Sequence, residues 1–493
     1  MSGYLERLTE NSGERLLREL FGWLFRESSG RGKSGDGLAA IMRSFLDFGE
    51  RELFQSVWSS KPEGEEAAAG RSLAASFLAR AFVLSRSAAT EDGVAGVMSG
   101  TFSSGGKTLS LKSLHADLVR QPKRGERELA LKAAKPSLEK LNTLLRKKLD
   151  TITEAAQALG FGNYGELAEK TSGSETSDTA AAAMAFLSGT EYASRDLLTW
   201  FLSKRMDIKP SRAEEHDLAY FLNSGELKGH FPARDMLSFS RPILEASGLV
   251  PEGGITYDGE RRRGKISDGF SVPLDPPLRT GLSIYTVGSI RDYEHFLGSL
   301  VRALSFTFTE REDYAEFRWL RDAGAESVFD SLFRNLVHEQ KWLAKYLRID
   351  EGGDFRRLLG LRRLMSARYV AGLSVYEADL LKNSEIAAMP EHYGRIMGAA
   401  LHCRIDTGGY LGPLTRPSRP SSVFWGAAAA PALSDYLKER FDEEWWRVPD
   451  AGEFLKGLWR NGGRMTAETL SAKTGALPRG GEYLRQGIER ELG

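Results

Sequence analysis

Beyond residue 290, three histidines stand directly beside a glutamate, and imidazole with carboxylate is the combination from which zinc sites and proton-transfer sites are built. The three pairs are Glu294-His295, His338-Glu339 and Glu391-His392. Adjacent residues on a helix point about 100° apart, so the two side chains of one pair cannot face the same ligand. Chemistry at any of these pairs therefore needs a partner on another element.

Two glycine-rich segments come close to the phosphate-binding loop of nucleotide-binding proteins. The Gly-Lys-Ser at 32–34 has Glu27 where that loop needs its first glycine, and a helical pattern precedes it instead of a buried strand. Segment 100–108 is one residue too long for the loop. It is better explained by a short hairpin near residues 101–111 that turns at Gly105-Gly106. We therefore do not predict nucleotide binding.

The composition is that of an ordinary globular protein, with 41% hydrophobic and 27% charged residues over 493 positions. Sixty-seven basic residues balance 67 acidic ones, so net charge gives no reason to expect nucleic acid or an anionic membrane as partner. No apolar run approaches the roughly 20 residues of a membrane span. The single cysteine, Cys403, cannot form an intramolecular disulfide. We expect a cytoplasmic protein, and the sequence is silent on its oligomeric state.

The clearest helical pattern runs from Ser289 to Phe306. Its apolar residues recur with the spacing of one buried helix face: Tyr293, Phe296, Leu297, Leu300, Val301 and Leu304. Ser289 precedes the pattern and Asp292 follows three residues later, which is close to a capping box. The sequence thus predicts a core helix with a well-defined start.

The second half of this helix resembles the metal-binding helix of the helical zinc peptidases of the oligoendopeptidase, thimet oligopeptidase and angiotensin-converting-enzyme type, within the gluzincin superfamily. That family carries Asp-Tyr, a few residues, and then Phe-Leu-His-Glu-x-Gly-His-Ala-Leu. The frame is kept by Asp292-Tyr293, Phe296-Leu297 and Ala303-Leu304. The His-Glu-x-Gly-His positions, however, are occupied by Gly298, Ser299, Leu300, Val301 and Arg302.

In the family the two histidines hold zinc and the glutamate activates its water. All three are absent here, so the resemblance implies a peptidase scaffold without catalytic residues, without a metal site and without a zinc cofactor. Arg302 places a cation where the metal would lie. Since such a cation needs a carboxylate, we predict that Arg302 pairs with Glu326 or Asp330 and ties two helices together.

Further segments match the family in order between about residues 141 and 470. They are Ala158 to Tyr164, Gly264-Lys265, Gly269-Phe270, Pro273 to Pro277, Leu361 to Glu377, Tyr436 to Phe441 and Trp445-Trp446. The segment after Arg321 resembles the second active-site helix. There Ser327 stands at the place of the glutamate that would be the third zinc ligand, and Glu326 is one residue away. One residue rotates a side chain by about 100°, so Glu326 is poorly placed as a ligand.

The resemblance implies a mainly α fold: an elongated multi-helix body with a central cleft and a small antiparallel β-sheet beside the former metal helix. Residues 1–172 form an N-terminal helical portion, and residues 173–493 form the peptidase-like portion with the degenerate site, together one continuous fold. The cleft-lining candidates are Phe270, Tyr285, Asp330, Tyr393 and Tyr410.

The predicted function is that of a catalytically inactive metallopeptidase-like protein that retains peptide or protein binding in its cleft. Strand addition to the sheet edge can hold a peptide without chemistry. Two alternatives stay open. One is an active metallopeptidase or other hydrolase with a rebuilt site, for example from His295 and a residue of 326–339. The other is a structural or interaction protein whose cleft is closed by apolar residues such as Val423 and Trp425.

Overall fold

The computed structural model describes residues 12–32, 37–172, 176–223, 227, 229–251, 253–266, 268–311, 313–350, 352–382, 386–475 and 480–492. Most of these residues are helical. The helices before the three-stranded sheet are α1 (Ser12–Ser28), α2 (Leu38–Arg43), α3 (Arg51–Trp58), α4 (Glu65–Ser99), α5 (Leu111–Arg120), α6 (Arg124–Ala158), α7 (Tyr164–Ser172), α8 (Thr176–Gly189), α9 (Glu191–Phe201), α10 (Glu215–Asn223) and α11 (Met236–Ala246).

The helices after the sheet are α12 (Ile290–Thr307), α13 (Ala315–Trp319), α14 (Ala323–Arg334), α15 (Gln340–Trp342), α16 (Asp354–Lys382), α17 (Met389–Leu401), α18 (Arg419–Arg440), α19 (Pro449–Arg460), α20 (Ala467–Thr474) and α21 (Glu482–Leu492). The strands are β1 (Thr101–Ser104), β2 (Lys107–Ser110), β3 (Gly254–Asp258), β4 (Phe270–Asp275) and β5 (Arg279–Ser283). Short 3-10 and π-helical turns connect several helices. The chain is therefore mainly α, as the sequence predicts.

The predicted hairpin near residues 101–111 is present as β1 and β2, paired antiparallel from Thr101 opposite Ser110. Its two turn residues, Gly105 and Gly106, both have positive φ, at 55° and 78°. A two-residue turn of this hand needs positive φ at both positions, which glycine adopts without steric conflict. This segment is thus a hairpin and not a phosphate-binding loop.

Helix α4 corrects the expectation that no segment is long and apolar enough to span a membrane. It has 35 residues, and an 18-residue window within it is apolar enough, by length and composition, to cross a membrane. Half of that window is buried inside the fold, and α4 packs along α6. A core helix of a globular protein passes the same test, so this single helix is weak grounds for a membrane span.

The second sheet has the order β3-β5-β4. Strands β4 and β5 pair antiparallel, while β3 adds to the other side of β5 in parallel. The buried Lys265 closes one end of this sheet, because its Nζ donates to the carbonyl oxygens of Asp258 at 2.7 Å and Ile284 at 3.2 Å. The sheet packs directly against α12, which is the helix beside which the resemblance predicts it.

Helix α12 lies between this sheet and α14, and α14 in turn packs against α18. The predicted apolar face is buried, with all six of its residues at most 1% exposed. The polar side of the helix is buried as well, including Gly298, Ser299 and Ser305. The largest core cluster extends from Leu16 to Leu470 and so includes residues from both portions that the sequence distinguishes.

Candidate functional site

A central cleft of about 2760 Å³ runs between the helices. The term central cleft denotes the cavity that is lined by parts of α4, α6, α12, α14, α16 and α18 and by Asp268 and Gly269 just before β4. Val423, Trp425 and Ala427 lie on its wall. They do not fill it, so the cleft is open and not closed by apolar residues.

The start of α12 is held by the capping box that the sequence predicts. One carboxylate oxygen of Asp292 accepts the backbone N–H groups of Val287 at 2.8 Å and Gly288 at 2.7 Å. The hydroxyl of Tyr293 donates to the carbonyl oxygen of Pro232 at 2.8 Å. These contacts fix the axial position and rotation of the helix, and thereby the direction in which residues 298–302 point.

Gly298 stands at the position that the resemblance assigns to the first zinc-binding histidine, and no space is left there for a side chain. A Cβ atom on Gly298 would lie 2.7 Å from Nε of Arg334 and still closer to Oδ1 of Asp330. Asp330 and Arg334 form an ion pair within α14. The neighbouring Ser299 is 3% exposed and packs against Gly269 before β4. An ion pair therefore fills the volume next to Gly298.

The predicted ion pair of Arg302 is confirmed. Its Nε lies 2.7 Å from Oε1 of Glu326, which joins α12 to α14. The N–H is not aimed at the oxygen, and the Arg302 side chain is 37% exposed instead of buried. The pair faces a pocket of only about 20 Å³ beside the central cleft. Ion pairs with this exposure contribute no more than about 1 kcal/mol, so the pair is a modest tie between the helices.

Ser327, at the place of the third ligand, lies in a close helix–helix contact. A Cβ atom on Gly426 of α18 would be 2.5 Å from the carbonyl carbon of Ser327 and 2.6 Å from its Cβ. The backbones of α14 and α18 thus touch at this point. Ser327 therefore has a packing role at this contact.

These residues do not fit a zinc ion. Gly298 has no side-chain ligand atom, Ser327 has only a hydroxyl instead of the thiolate, imidazole or carboxylate that zinc sites use, and Arg302 repels a cation. Nor does a rebuilt site assemble from His295, His338 and Glu326, since these residues form no group of three close ligands within the described ranges. The Nδ1 atom of His295 is 3.8 Å from Oδ1 of Asp268, and Glu326 is engaged by Arg302.

One other acidic cluster has the distances of a metal site. Ligand atoms of Glu128, Glu214 and His216 lie within 4.8 Å of one another. Both carboxylates already have a partner, because Glu128 pairs with Arg124 at 3.3 Å and Glu214 pairs with Arg404 at 2.5 Å. The first member is 86 positions away from the second, so no local spacing in the sequence indicates this cluster.

A buried ionic group lies on the cleft wall between α12, α16 and the turn after α14. The guanidinium of Arg362 donates to both carboxylate oxygens of Glu294, and Nε2 of His338 lies 3.1 Å from the same carboxylate. Burial alone raises the pKa of Glu294, but Arg362 and His338 outweigh it and hold that pKa well below its usual value. This carboxylate is an anion locked in a salt bridge, not a general base for bound water.

His295, next along α12, faces the same cleft. Burial lowers its pKa well below the usual histidine value, although the nearby Asp268 favours the charged form. The imidazole is therefore neutral at pH 7. No hydroxyl or thiol nucleophile within the described residues hydrogen-bonds to it, so His295 lacks the partner that a hydrolytic pair requires.

Of the five cleft-lining candidates, Asp330 and Tyr393 line the central cleft. Asp330 does so as the partner of Arg334. Tyr393 is 6% exposed and packs its ring against Tyr376, with centroids 4.9 Å apart. Both positions come from packing within and between helices, which leaves little of either side chain free for a ligand.

The structure places Phe270, Tyr285 and Tyr410 away from the cleft. The ring of Phe270 packs on Phe25 of α1, with centroids 5.9 Å apart. Tyr285 is 3% exposed. The hydroxyl of Tyr410 accepts hydrogen bonds from the guanidinium of Arg146, at 2.6 and 2.9 Å. In each case the side chain is buried against, or hydrogen-bonded to, other residues of the chain. No local pattern in the sequence indicates these contacts.

A mainly helical body around an open cleft, with a small sheet beside a buried core helix, is the architecture of the oligoendopeptidase-like peptidases. A structure of PZ peptidase A with an inhibitor superposes with a TM-score of 0.71 at 15% identity, over 92% of this chain and 86% of that one. A protein described as an oligoendopeptidase F from Bacillus anthracis gives 0.71 at 14% identity, over 96% and 89%.

A further oligoendopeptidase F structure gives a TM-score of 0.69 at 15% identity, over 92% of this chain and 84% of that one. No protein-family profile and no curated protein sequence matches the chain. At such low identity the likeness establishes the fold and carries no activity with it.

Proposed function

We propose that this chain is a metal-free protein with the oligoendopeptidase fold, which no longer hydrolyses peptides and instead binds an extended peptide in its central cleft. The observation that carries the proposal is which residues occupy the positions of the zinc-binding motif. Gly298, Ser299 and Arg302 supply no zinc ligand and no general base, and the Asp330–Arg334 pair fills the adjoining space. Hydrolysis by such a site needs both the metal and the carboxylate.

Peptide binding is supported by what remains of the cleft. Its volume of about 2760 Å³ is far larger than a single small molecule requires. Strand β4 lies at an edge of its sheet but outside the cleft, whereas Asp268 and Gly269, which lead into it, line the cleft wall, so a peptide in the cleft would pair with the backbone of these two residues. An edge strand carries backbone N–H and C=O groups that an extended peptide can pair with.

We further propose that the protein works in the cytoplasm, without nucleic acid or membrane as partner. The balance of 67 basic and 67 acidic residues supports this, as does the lone Cys403. Burial raises the pKa of the Cys403 thiol far above its usual value, so this residue is unsuited to thiolate chemistry.

A second candidate is a metal-dependent hydrolase centred on Glu128, Glu214 and His216, because their ligand atoms are close enough for one ion. The arginine partners of both carboxylates oppose it, since a metal would have to displace them. His216 also accepts a hydrogen bond from Nε of Arg127 at 3.2 Å.

Both candidates are tested by incubating the protein with a pool of blocked decapeptides in the presence of added zinc, followed by mass spectrometry. We expect a subset of peptides to be retained by the protein and all of them to be recovered intact. Cleavage that a chelator stops would contradict the proposal. If that cleavage also disappeared in His216→Ala, the second candidate would replace the first.

A further inference from the structure

Two arginines in the central cleft have no counter-ion among the described residues. Arg416 lies in the turn before α18 and Arg419 is the first residue of that helix. Both side chains line the cleft and are exposed to it. Neither forms an ion pair or a side-chain hydrogen bond with any residue in the described ranges of the chain.

The two carboxylates whose charge acts on Arg416 and Arg419 are Asp268 and Asp330, and both are paired with other arginines, as is Glu326 on the same helix as Asp330. The pairs are Asp268 with Arg291 at 3.0 Å, Glu326 with Arg302 at 2.7 Å, and Asp330 with Arg334. Three carboxylates thus face five arginines, and the excess of positive charge falls on Arg416 and Arg419.

The electrostatic setting agrees with this charge count. The pKa of the Arg419 guanidinium is lowered to about 10. The larger cause is its deep position between the helices, and the next is repulsion from Arg416. The pKa of Arg416 is lowered in the same way, by its deep position and then by repulsion from Arg302. Both groups stay charged at pH 7, at a cost that an anion between them would remove.

The helix that begins at this point adds to the positive potential. Helix α18 has 22 residues and begins at Arg419, so the positive end of its dipole lies beside the two guanidinium groups. Its cap residue Ser418 donates its backbone N–H to Oε1 of the buried Glu377 at 2.8 Å. Glu377 is thereby occupied with the backbone and does not serve the arginines.

Building on the peptide binding proposed above, we infer that Arg416 and Arg419 form a subsite for a carboxylate of the bound peptide, so that the protein selects acidic peptides. A guanidinium presents two parallel N–H donors that match the two oxygens of a carboxylate. The carboxylate has two sources, the side chain of an internal acidic residue or the C-terminus of the peptide. A polar anchor of this kind fixes the register of an otherwise sequence-tolerant strand.

The inference is tested by calorimetric titration with three alanine-rich octapeptides. The first is blocked at both ends with two central glutamates, the second has glutamines instead, and the third is the glutamine peptide with a free C-terminus. We expect at least one carboxylate-bearing peptide to bind roughly tenfold or more tightly than the blocked glutamine peptide, because hydrogen bonds between charged groups are about twice as strong as those between neutral groups. The carboxylate peptide that binds identifies the source.

The decisive variant is Arg416→Ala/Arg419→Ala, which we expect to abolish the preference. The matched control is Lys132→Ala/Lys135→Ala, since both lysines line the same cleft from α6 and their removal lowers the net charge equally. We expect this control to keep the preference. The variant Arg416→Lys/Arg419→Lys keeps the charge without the parallel donors, and we expect it to retain part of the preference and to fold as the wild type does.

Three outcomes would overturn the inference. If all three peptides bound equally, peptide binding would stand and the carboxylate subsite would not. If none bound, the proposed function would fail along with it. If inorganic phosphate raised the melting temperature through Arg416 and Arg419 while no acidic peptide bound, the subsite would belong to a small anion instead of a peptide.

Discussion

Replacing Gly426 by alanine is expected to lower the free energy of unfolding by about 3 kcal/mol, the upper range for overpacking a core. The added Cβ would lie 2.5 Å from the carbonyl carbon of Ser327, so α14 and α18 would have to separate. Backbone atoms cannot rotate out of the way as the end of a long side chain can. Urea unfolding followed by circular dichroism measures the change.

The matched control is Gly457→Ala on α19, where an added Cβ meets nothing within 4 Å. This substitution is expected to stabilise the protein by about 0.5–1 kcal/mol, because alanine restricts the unfolded chain and favours the helix. A Gly426→Ala variant as stable as the wild type would mean that α14 and α18 do not touch through their backbones, and the packing role of Ser327 would be lost.

The second large effect is expected for Glu294→Gln. Its partner Arg362 is only 4% exposed, and removing the carboxylate charge leaves that cation buried without a counter-ion. Breaking one partner of a buried pair costs about 3–5 kcal/mol. The control is Asp354→Asn, which breaks an exposed pair with Arg205 and should cost less than about 1 kcal/mol. Chemical unfolding at pH 7 measures both.

The same group predicts the pH dependence of stability. The pKa of Glu294 in the folded protein lies below its value of 4.5 in the unfolded chain. Its contribution is therefore complete above about pH 4.5 and is lost as the pH falls towards the folded pKa. The stability of the wild type should fall across this range by more than that of Glu294→Gln. Parallel acid curves for the two proteins would show that Glu294 is not a buried anion.

The sequence predicts those features that local physics determines. The capping box of Ser289 and Asp292 and the apolar period after it define α12 without reference to the rest of the fold. The Gly105-Gly106 turn defines the hairpin in the same way. The Arg302–Glu326 pair follows from the resemblance, because a cation at the metal's place needs a carboxylate on the facing helix.

What the sequence misses depends on tertiary contacts. The apolar pattern over residues 37–58 predicts one amphipathic helix, which the structure divides into α2 and α3. Phe231-Pro232 likewise predicts a helix start, but the helix begins at Met236, where Asp235 accepts the N–H of Leu237. The ion pair beside Gly298 is equally invisible, since Asp330 and Arg334 are an ordinary i, i+4 pair until α12 is packed against them. The unpaired arginines emerge only when every nearby carboxylate has been assigned a partner.

The two central helices are joined by contacts between their own residues. Helices α12 and α14 are held by apolar packing, by the ion pair of Arg302 with Glu326, and by the fit of Gly298 against the Asp330–Arg334 pair. Most of this stability is independent of any ion, so a chelator should not lower the melting temperature.

The most direct test of a metal-free scaffold is the zinc content of the untagged protein, measured by inductively coupled plasma mass spectrometry after dialysis with and without added zinc. We predict far less than one zinc per chain under both conditions and the same melting temperature with and without chelator. One zinc per chain, with a melting temperature that falls on chelation, would contradict the absence of a metal site and return attention to Glu128, Glu214 and His216.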